Sequence, residues 1–244
     1  MKSTALVLLS GGLDSTTALY WSIKKYSYVA AVSFNYGSKH NSAEIKGAKY
    51  VTKQTCTNHN IFDVRKIFAN FNSSLLSNSG EQIPEGMYSD ESMKSTVVPF
   101  RNGILLAIAA GYAESRGIGD IILGSHLGDV SIYPDCRKEF NVAMSKAIKL
   151  GTYKKIKFIA PFEQMRKEDI VKYGLKIDVP YATTYSCYNG KTRPCLKCGT
   201  CTERTEAFYL NNVKDPLLTD AEWNIAVEYW RKFNNAKVSK SASK

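Results

Sequence analysis

A phosphate-binding turn is indicated by the six residues SGGLDS at positions 10–15, which follow the apolar segment 5–9 and precede a helix-like stretch. Two adjacent glycines let backbone N–H groups approach an anion closely, and the next helix directs its positive N-terminal end toward the same place. The serine hydroxyl groups can add hydrogen-bond donors, and the carboxylate of Asp14 can bind a magnesium ion. The pattern therefore favours a nucleotide-phosphate site over a structural Gly-Gly turn.

This turn differs from two other nucleotide-binding motifs. A Walker A loop needs a lysine and a first glycine at fixed spacing, but the only Gly-Lys-Thr, at 190–192, has Tyr185 where that glycine would stand. The G-x-G-x-x-G fingerprint does not fit either, because the two glycines are adjacent. The run is similar to the loop of N-type ATP pyrophosphatases, which cleave ATP between the α and β phosphates and adenylate an oxygen of their substrate.

A metal site is indicated by four of the six cysteines, which lie within fifteen residues at the spacing C-x7-C-x2-C-x2-C: Cys187, Cys195, Cys198 and Cys201. Two-residue gaps let a tight turn direct neighbouring sulfurs at one ion, and four thiolates leave a zinc ion no open position. We therefore expect one structural Zn²⁺ per subunit. A pair of disulfides and an iron–sulfur cluster are the alternatives. The N-terminus does not resemble a signal peptide, so the reducing cytosol is the expected compartment and disulfides are disfavoured.

The composition fits one large domain, or one domain with a small appendage. Of the 244 residues 44% are hydrophobic, and we expect a soluble protein because no segment comes near the roughly twenty apolar residues of a membrane span. The net charge of +11 is compatible with nucleic acid, a nucleotide or an acidic small substrate as a partner. Part of this charge lies in a Ser/Ala/Lys tail that is expected to be disordered.

Alternating strand-like and helix-like segments predict an α/β fold with an open, mostly parallel sheet and helices on both faces. The predicted strands are 5–9, 28–35, 60–64, 120–124 and 157–160. The predicted helices are 15–25, 42–53, 102–115, 138–150, 167–173 and a C-terminal helix around Trp223, Val227 and Trp230. A polar stretch at 70–94 is predicted to be a lid or a mobile loop. The expected division is an ATP-binding domain (1–180), a zinc-binding and helical region (181–235) and the tail (236–244).

Ligands of an open α/β sheet bind at the carboxyl ends of the strands, where successive loops converge. The loops expected there carry polar and aromatic side chains: Tyr36, Lys39 and His40, then Arg101 and Asn102, then Ser125 and His126, and finally Tyr133, Asp135, Cys136 and Arg137. Each of these residues alone has an ordinary explanation, such as a surface charge or a residue of a turn. Together they predict a pocket.

These loops give the chain a resemblance to one family, the 7-cyano-7-deazaguanine synthases, which are queuosine-pathway members of the N-type ATP pyrophosphatases with an adenine nucleotide alpha hydrolase-like, Rossmann-like fold. The phosphate loop is shared with other members of that superfamily. The Tyr-Pro-Asp-Cys-Arg stretch at 133–137 and the spaced cysteines are specific to the family. Further matching stretches are 36–40, 98–102, 184–188 and Arg204.

The resemblance implies a ligase that uses ATP to convert 7-carboxy-7-deazaguanine and ammonia into 7-cyano-7-deazaguanine. It implies an ATP site made of Leu9, Ser10, Gly11, Gly12, Leu13, Asp14, Ser15, Thr16 and Thr17. It implies that Ser15 and Asp14 with Mg²⁺ act on the phosphates. Catalytic roles for Asp135, Arg101 and Arg137 are expected from their chemistry and their position in the loops: Asp135 would accept hydrogen bonds from the guanine-like edge, and Arg101 or Arg137 would pair with the substrate carboxylate or the phosphates.

Two other functions stay open at this point. A tRNA-modifying adenylase of the thiolase type would suit the positive charge, and Cys56 and Cys136 lie outside the cysteine cluster. A zinc-bearing nucleotide-binding module without turnover is the second alternative, which the presence of Asp14 disfavours. For the ligase we expect ammonia from solution or from a separate partner, a homodimer in the cytoplasm, and no direct contact with nucleic acid or membrane.

Overall fold

Five parallel strands form one sheet in the order β3-β2-β1-β4-β5. The strands are β1 (Thr4–Leu8), β2 (Tyr28–Asn35), β3 (Asn58–Asp63), β4 (Asp120–Leu123) and β5 (Lys157–Ile159). The computed structural model describes residues 3–86 and 93–241, with side chains as far as residue 234. The order places β1 at the centre, with the chain continuing to β2 on one side and returning to β4 on the other. In such sheets the ligand crevice lies at this reversal.

Helices follow the strands and cover both faces of the sheet, so the predicted α/β class is confirmed. They are α1 (Leu13–Lys25), α2 (Asn41–Gln54), α3 (Arg65–Phe68), α4 (Arg101–Arg116), α5 (Lys138–Gly151), α6 (Lys167–Lys176), α7 (Gly199–Leu210) and α8 (Asp220–Ser241). The long predicted helices begin and end within a few residues of those observed. The helices α3 and α7 were not predicted. Four residues are too few to give α3 a periodic pattern, and α7 begins inside the cysteine cluster, which was interpreted as a metal-binding turn.

The strand β1 shows why both faces are covered. Its side chains alternate between two cores, with Leu6 and Leu8 on one face and Ala5 and Val7 on the other, all of them buried. The first core contains apolar residues of α4 and α5, and the second contains those of α1, α2 and α6. A parallel strand buried on both faces has no polar alternation, which is why its sequence is continuously apolar.

One apolar segment is long enough to resemble a membrane span. An 18-residue window within Lys94–Arg116 has a mean hydropathy of 1.3, contrary to the expectation that no segment comes near such a span. Its helical part is α4, whose Leu106, Ala109 and Ala113 are fully buried in the core against the sheet. We therefore interpret this segment as a core helix.

The polar stretch 70–94 packs on the body of the protein as far as the structure describes it; residues 87–92 lie outside the described part. Leu75 and Leu76 are almost fully buried, and the amide N–H of Gly86 donates to the carbonyl of Lys197 at 2.8 Å. The expectation of a lid or mobile loop rested on the serines and asparagines. It gave too little weight to the two leucines, whose burial holds the part of the segment around them against the body of the protein.

The C-terminal helix α8 packs on the body through the predicted apolar face. Val227 and Trp230 are buried, and Trp223 packs against the second core. The helix continues through residue 241, and residues 242–244 of the predicted tail lie outside the described residues. The division into domains stays a prediction.

Gly11 holds the phosphate loop against α2, and replacing it by alanine is expected to destabilise the fold by at least about 2 kcal/mol. Its φ of +93° suits glycine, and a β-carbon there would stand 2.1 Å from the carbonyl oxygen of Glu44. Gly111→Ala is the matched control, because nothing lies within 4 Å of its β-carbon position on α4. Urea unfolding should show a lower free energy of unfolding for Gly11→Ala and an unchanged or higher one for Gly111→Ala. Equal stabilities would contradict the packing described here.

Candidate active site

A cavity of about 220 Å³ lies at the carboxyl ends of the central strands. Leu8 at the end of β1, Phe34 at the end of β2 and Leu123 at the end of β4 line it. Most of the loop residues predicted to form a pocket also line it: Tyr36, His40, Arg101, Asn102, Ser125, Tyr133 and Cys136. The prediction of a pocket at this edge of the sheet is therefore confirmed. Lys39 does not line the cavity; its ammonium donates to the backbone carbonyl of Glu81.

The phosphate loop forms one wall of the cavity through Leu9, Ser10, Gly12, Leu13, Asp14 and Ser15. The Ser15 hydroxyl accepts hydrogen bonds from the N–H groups of Ser10 at 3.2 Å and Gly11 at 3.3 Å. The Ser10 hydroxyl accepts from the N–H of Gly12 at 3.1 Å. Gly12 is the N-cap of α1. Three backbone N–H groups thus converge at a helix N-terminus, which is the arrangement that binds phosphate.

Two predicted nucleotide residues face away from the cavity. The hydroxyl of Thr17 donates to the carbonyl of Leu13 at 2.8 Å and lies 3.0 Å from the Tyr181 hydroxyl. Thr16 is 1% exposed, and its hydroxyl has no hydrogen-bond partner among the described residues. These side chains pack α1 into the protein, so their contribution to a nucleotide site is through the position of the helix.

Asp14 belongs to a cluster of charged side chains. Its Oδ2 lies 3.3 Å from the Lys167 ammonium and 3.9 Å from Nε2 of His126. The ammonium also donates to the Glu203 carboxylate at 2.7 Å, and Nε2 of His126 lies 3.6 Å from Asp129. The Oδ1 atom of Asp14 is buried and has no partner among the described residues. An unpartnered carboxylate oxygen in a buried cluster fits a cation ligand.

The cluster holds Lys167 in its charged form. Burial lowers the pKa of this ammonium, but the carboxylates of Asp14, Glu203 and Asp129 outweigh burial and raise it. Burial raises the pKa of Asp129, against the opposing effect of His126 and Lys167. A charged ammonium at the cavity wall, 10% exposed, is a suitable partner for a phosphate group.

Another part of the cavity wall is aromatic and carries the guanidinium group of Arg101. The rings of His40 and Tyr188 have centroids 5.2 Å apart, and Arg101 lies over the ring of Tyr36, 5.5 Å from its centroid. Burial and the charge of Arg101 lower the pKa of His40 to about 3, so this imidazole is neutral. Burial lowers the pKa of Arg101, but the neighbouring Tyr36, Tyr133 and Asp135 raise it overall. This wall can stack on a flat ring and pair with an anion.

Two predicted catalytic residues lie beside the cavity rather than in its wall. The Oδ2 atom of Asp135 accepts from the backbone N–H of Asn102 at 2.8 Å, at the start of α4. This bond fixes the segment that carries Arg101. Arg137 is exposed, and its Nε donates to the carbonyl of Val130 at 3.2 Å. The structure therefore brings Asp14, Ser15 and Arg101 together and leaves Asp135 and Arg137 outside this group.

The four clustered cysteines converge on one point. Their sulfur atoms all lie within 4.8 Å of one another, and two of the separations are 3.9 Å (Cys195 to Cys201) and 3.5 Å (Cys198 to Cys201). A tetrahedral ion with metal–sulfur bonds of about 2.3 Å needs sulfurs about 3.8 Å apart. All six cysteines lie in the described part of the chain, and none forms a disulfide. The donor set and its spacing fit a single metal ion.

The cysteine cluster is joined directly to the phosphate loop. The backbone N–H of Tyr185, two residues before Cys187, donates to the carbonyl of Gly11 at 3.0 Å. Glu203, two residues after Cys201, carries the carboxylate that binds the Lys167 ammonium. Thr200 itself lines the cavity. The region of the cysteines therefore supports the site on two sides.

Three residues of the site were not predicted from the sequence: Lys167, Glu203 and Glu44. Lys167 and Glu44 line the cavity, and Glu203 binds Lys167. Lys167 had a signal that could have been used, since it begins the helix after β5, at the edge of the sheet where ligands bind. Glu203 had none, because its position follows from the packing of α7 against α6.

The chain matches a family of known proteins over most of its length. The family model "Queuosine biosynthesis protein QueC" matches residues 4–212. The 7-cyano-7-deazaguanine synthase of Archaeoglobus fulgidus is 47% identical over 97% of this chain and 99% of its own length. The protein of the same name from Desulfotalea psychrophila is 48% identical over 84% of this chain and 93% of its own.

A solved structure shares the fold at low sequence identity. The NMN synthetase of Francisella tularensis is 12% identical, covers 95% of this chain and 84% of its own, and has a TM-score of 0.50. At this identity the likeness concerns the architecture of the sheet and its helices alone.

Proposed function

Since the chain belongs to the QueC family of queuosine biosynthesis proteins, we propose that the cavity at the sheet edge is where this ligase turns a carboxylic acid into a nitrile. The relatives reported above are named 7-cyano-7-deazaguanine synthase, which is a ligase, and ATP-dependent chemistry of this kind fits the N-type ATP pyrophosphatase fold. The observation that carries the assignment to this cavity is that the phosphate loop, Lys167 and Arg101 face one space.

The proposed substrates are 7-carboxy-7-deazaguanine, ammonia and ATP. A carboxylate resists attack by ammonia until one of its oxygens becomes a leaving group. Adenylation releases pyrophosphate and supplies that leaving group as AMP, and ammonia then displaces AMP to form the amide. Adenylation of the amide oxygen by a second ATP, followed by loss of AMP and protons, leaves the nitrile. Both activations need the same phosphate site.

In this proposal the phosphate loop binds the leaving pyrophosphate. The N–H groups of Ser10, Gly11 and Gly12, now bonded to the Ser10 and Ser15 hydroxyls, would transfer to phosphate oxygens at the positive end of α1. The Lys167 ammonium would stabilise the negative charge that grows as the bond to the α phosphate breaks. Asp14 would hold a Mg²⁺ ion, which would neutralise further phosphate charge when bound.

The cysteine cluster is proposed to hold Zn²⁺. Four thiolates around one point are the donor set of a structural zinc site, and two of them come from residues on either side of a tight turn. Separations of 3.5 and 3.9 Å suit one ion better than a cluster whose thiolates bind different iron atoms. The ion would keep the segment of Tyr185 and the start of α7 in register with the phosphate loop.

Arg101 is proposed to pair with the substrate carboxylate, and the variant Arg101→Gln is expected to raise KM for 7-carboxy-7-deazaguanine about 10- to 100-fold, because a charge-assisted hydrogen bond is worth about 1.5–3 kcal/mol. KM for ATP should change much less. Steady-state AMP release measures both constants. Arg137→Gln serves as the comparison: if it raises KM for the acid more than Arg101→Gln does, the exposed arginine is the partner.

The tRNA-thiolating alternative needs a reactive thiol near the phosphate loop. Cys136 lines the cavity, but burial raises the pKa of its thiol, which accepts a hydrogen bond from Asn102 at 3.2 Å. A neutral thiol is a poor nucleophile. Steep loss of tRNA affinity with rising salt would be expected of that alternative and not of a small-molecule ligase.

The experiment that tests the function is mass spectrometry of the purified protein with 7-carboxy-7-deazaguanine, ammonium and Mg-ATP. A nitrile product formed with AMP and pyrophosphate is expected. An amide alone would limit the protein to one activation. AMP formed only when tRNA is added would contradict the assignment. A homodimer, a cytoplasmic location and no direct contact with nucleic acid or membrane are parts of the same proposal, and light scattering tests the first of them.

A further inference from the structure

The side chain of Glu44 is an acid that faces the cavity. It lies on α2, is 15% exposed, and its Oε1 is 4.0 Å from the point where a β-carbon on Gly12 would stand. Nε2 of His40 lies 3.7 Å from its Oε2. Within the part of the chain that the structure describes, no hydrogen-bond donor is within bonding distance of this carboxyl group. The acid therefore stands beside the phosphate loop with its oxygens available to a ligand.

The surroundings of Glu44 favour a proton acceptor. The groups that face it are His40, which is neutral, Tyr36, and Arg101 from α4. Burial raises the pKa of the Glu44 carboxyl to about 8, although Arg101 opposes this effect. A buried acid with a pKa near the working pH can both accept and release a proton during one cycle.

The other acids in the cavity wall are already paired. Asp14 lies 3.3 Å from the Lys167 ammonium, and Asp129 accepts from the backbone N–H of His126 at 3.2 Å. A carboxylate bound to a fixed cation or donor is a weaker base. Among the described residues that line the cavity, Glu44 is thus the acid best placed to take a proton.

The reaction releases protons at each step that involves nitrogen. Ammonium must lose one proton before its lone pair can attack the adenylate, and the nitrogen loses another when the amide forms and AMP departs. Conversion of the adenylated amide to the nitrile removes the two remaining N–H protons as the C–O bond to AMP breaks. These steps need no oxidant or reductant. They do need a proton acceptor close to the reacting carbon.

We propose that Glu44 is this proton acceptor: its carboxylate binds ammonium beside the phosphate loop and takes the protons that nitrogen loses. The inference rests on the proposed function, because it assigns a residue to that same reaction. It places the nitrogen source between α2 and the phosphate loop.

The test compares two nucleophiles that differ in protonation. Ammonia is mostly ammonium at neutral pH, whereas hydroxylamine is mostly neutral and attacks an adenylate without a base. For Glu44→Gln we expect amide formation from ammonium to fall about 10²- to 10⁴-fold. Hydroxamate formation from hydroxylamine, and the pyrophosphate released with it, should stay close to the wild-type rate. Mass spectrometry of the two products from parallel reactions gives both rates.

Two further variants make the result specific. Glu44→Asp keeps a carboxylate and should recover part of the ammonium reaction that the glutamine variant loses. Lys46→Gln changes an exposed side chain on the same helix and should leave both products unchanged. Equal loss of amide and hydroxamate in Glu44→Gln, or no loss of either, would overturn the assignment of the base. If the wild-type protein makes neither product, the proposed function fails and this inference fails with it.

Discussion

Replacement of Asp14 by asparagine is expected to lower kcat for nitrile formation by about 10²- to 10³-fold or more. Asp14 lies in the first turn of α1, its Oδ1 is buried without a partner among the described residues, and its Oδ2 faces the Lys167 ammonium. The asparagine amide has the same shape but no negative charge, so it binds Mg²⁺ more weakly and does not neutralise the charge of the Lys167 ammonium. Steady-state release of AMP and pyrophosphate measures the effect, and thermal melting checks the fold.

The control for this variant is Asp178→Asn. Asp178 is exposed, and its φ of +59° is a conformation that asparagine also adopts readily. Its kcat should equal that of the wild type. If Asp14→Asn keeps more than about a tenth of the wild-type kcat while it folds normally, the carboxylate is not part of the phosphate chemistry.

The second large effect is expected at the cysteine cluster. Cys198→Ser should remove the bound metal and lower Tm by roughly 10 °C or more, because loss of a structural metal costs several kcal/mol in a protein of this size. Cys198 is fully buried, so the serine hydroxyl would also lie in a dry site. Elemental analysis and calorimetry measure the two changes.

The same variant is expected to weaken ATP binding, although no cysteine of the cluster needs to touch ATP. The N–H of Tyr185 holds the carbonyl of Gly11, and Glu203 holds Lys167. Once the cluster loosens, both supports of the phosphate site move. Cys56→Ser is the control, since Cys56 is an exposed free thiol. Loss of metal with unchanged ATP affinity would mean that the cluster stabilises the fold without positioning the site.

The sequence predicted the parts of the protein that depend on local patterns. The continuous apolar run of β1, followed by two glycines, is typical of a buried parallel strand that ends in a phosphate-binding turn. The cysteine spacing is equally specific, because the two-residue gaps force the sulfurs together. For these features the predicted residues are the ones that the structure brings together.

The parts that were missed depend on packing between distant segments. Glu203 and Lys167 are 36 positions apart and meet because α7 packs on α6. Asp135 was expected in the substrate pocket. Instead its carboxylate accepts the hydrogen bond that the backbone N–H of Asn102 donates at the start of α4. Its role as a direct contact of the substrate stays a prediction. Nothing in the spacing of these residues indicates such pairings.

The most direct test of the central claim follows the oxygen atoms of the substrate. The central claim is that one phosphate site activates the same carbon twice, first as a carboxylate and then as an amide. With both carboxylate oxygens labelled as ¹⁸O, mass spectrometry should find two AMP molecules per nitrile, each carrying one labelled oxygen. Label in water or in inorganic phosphate, or one labelled AMP per nitrile, would contradict the double activation.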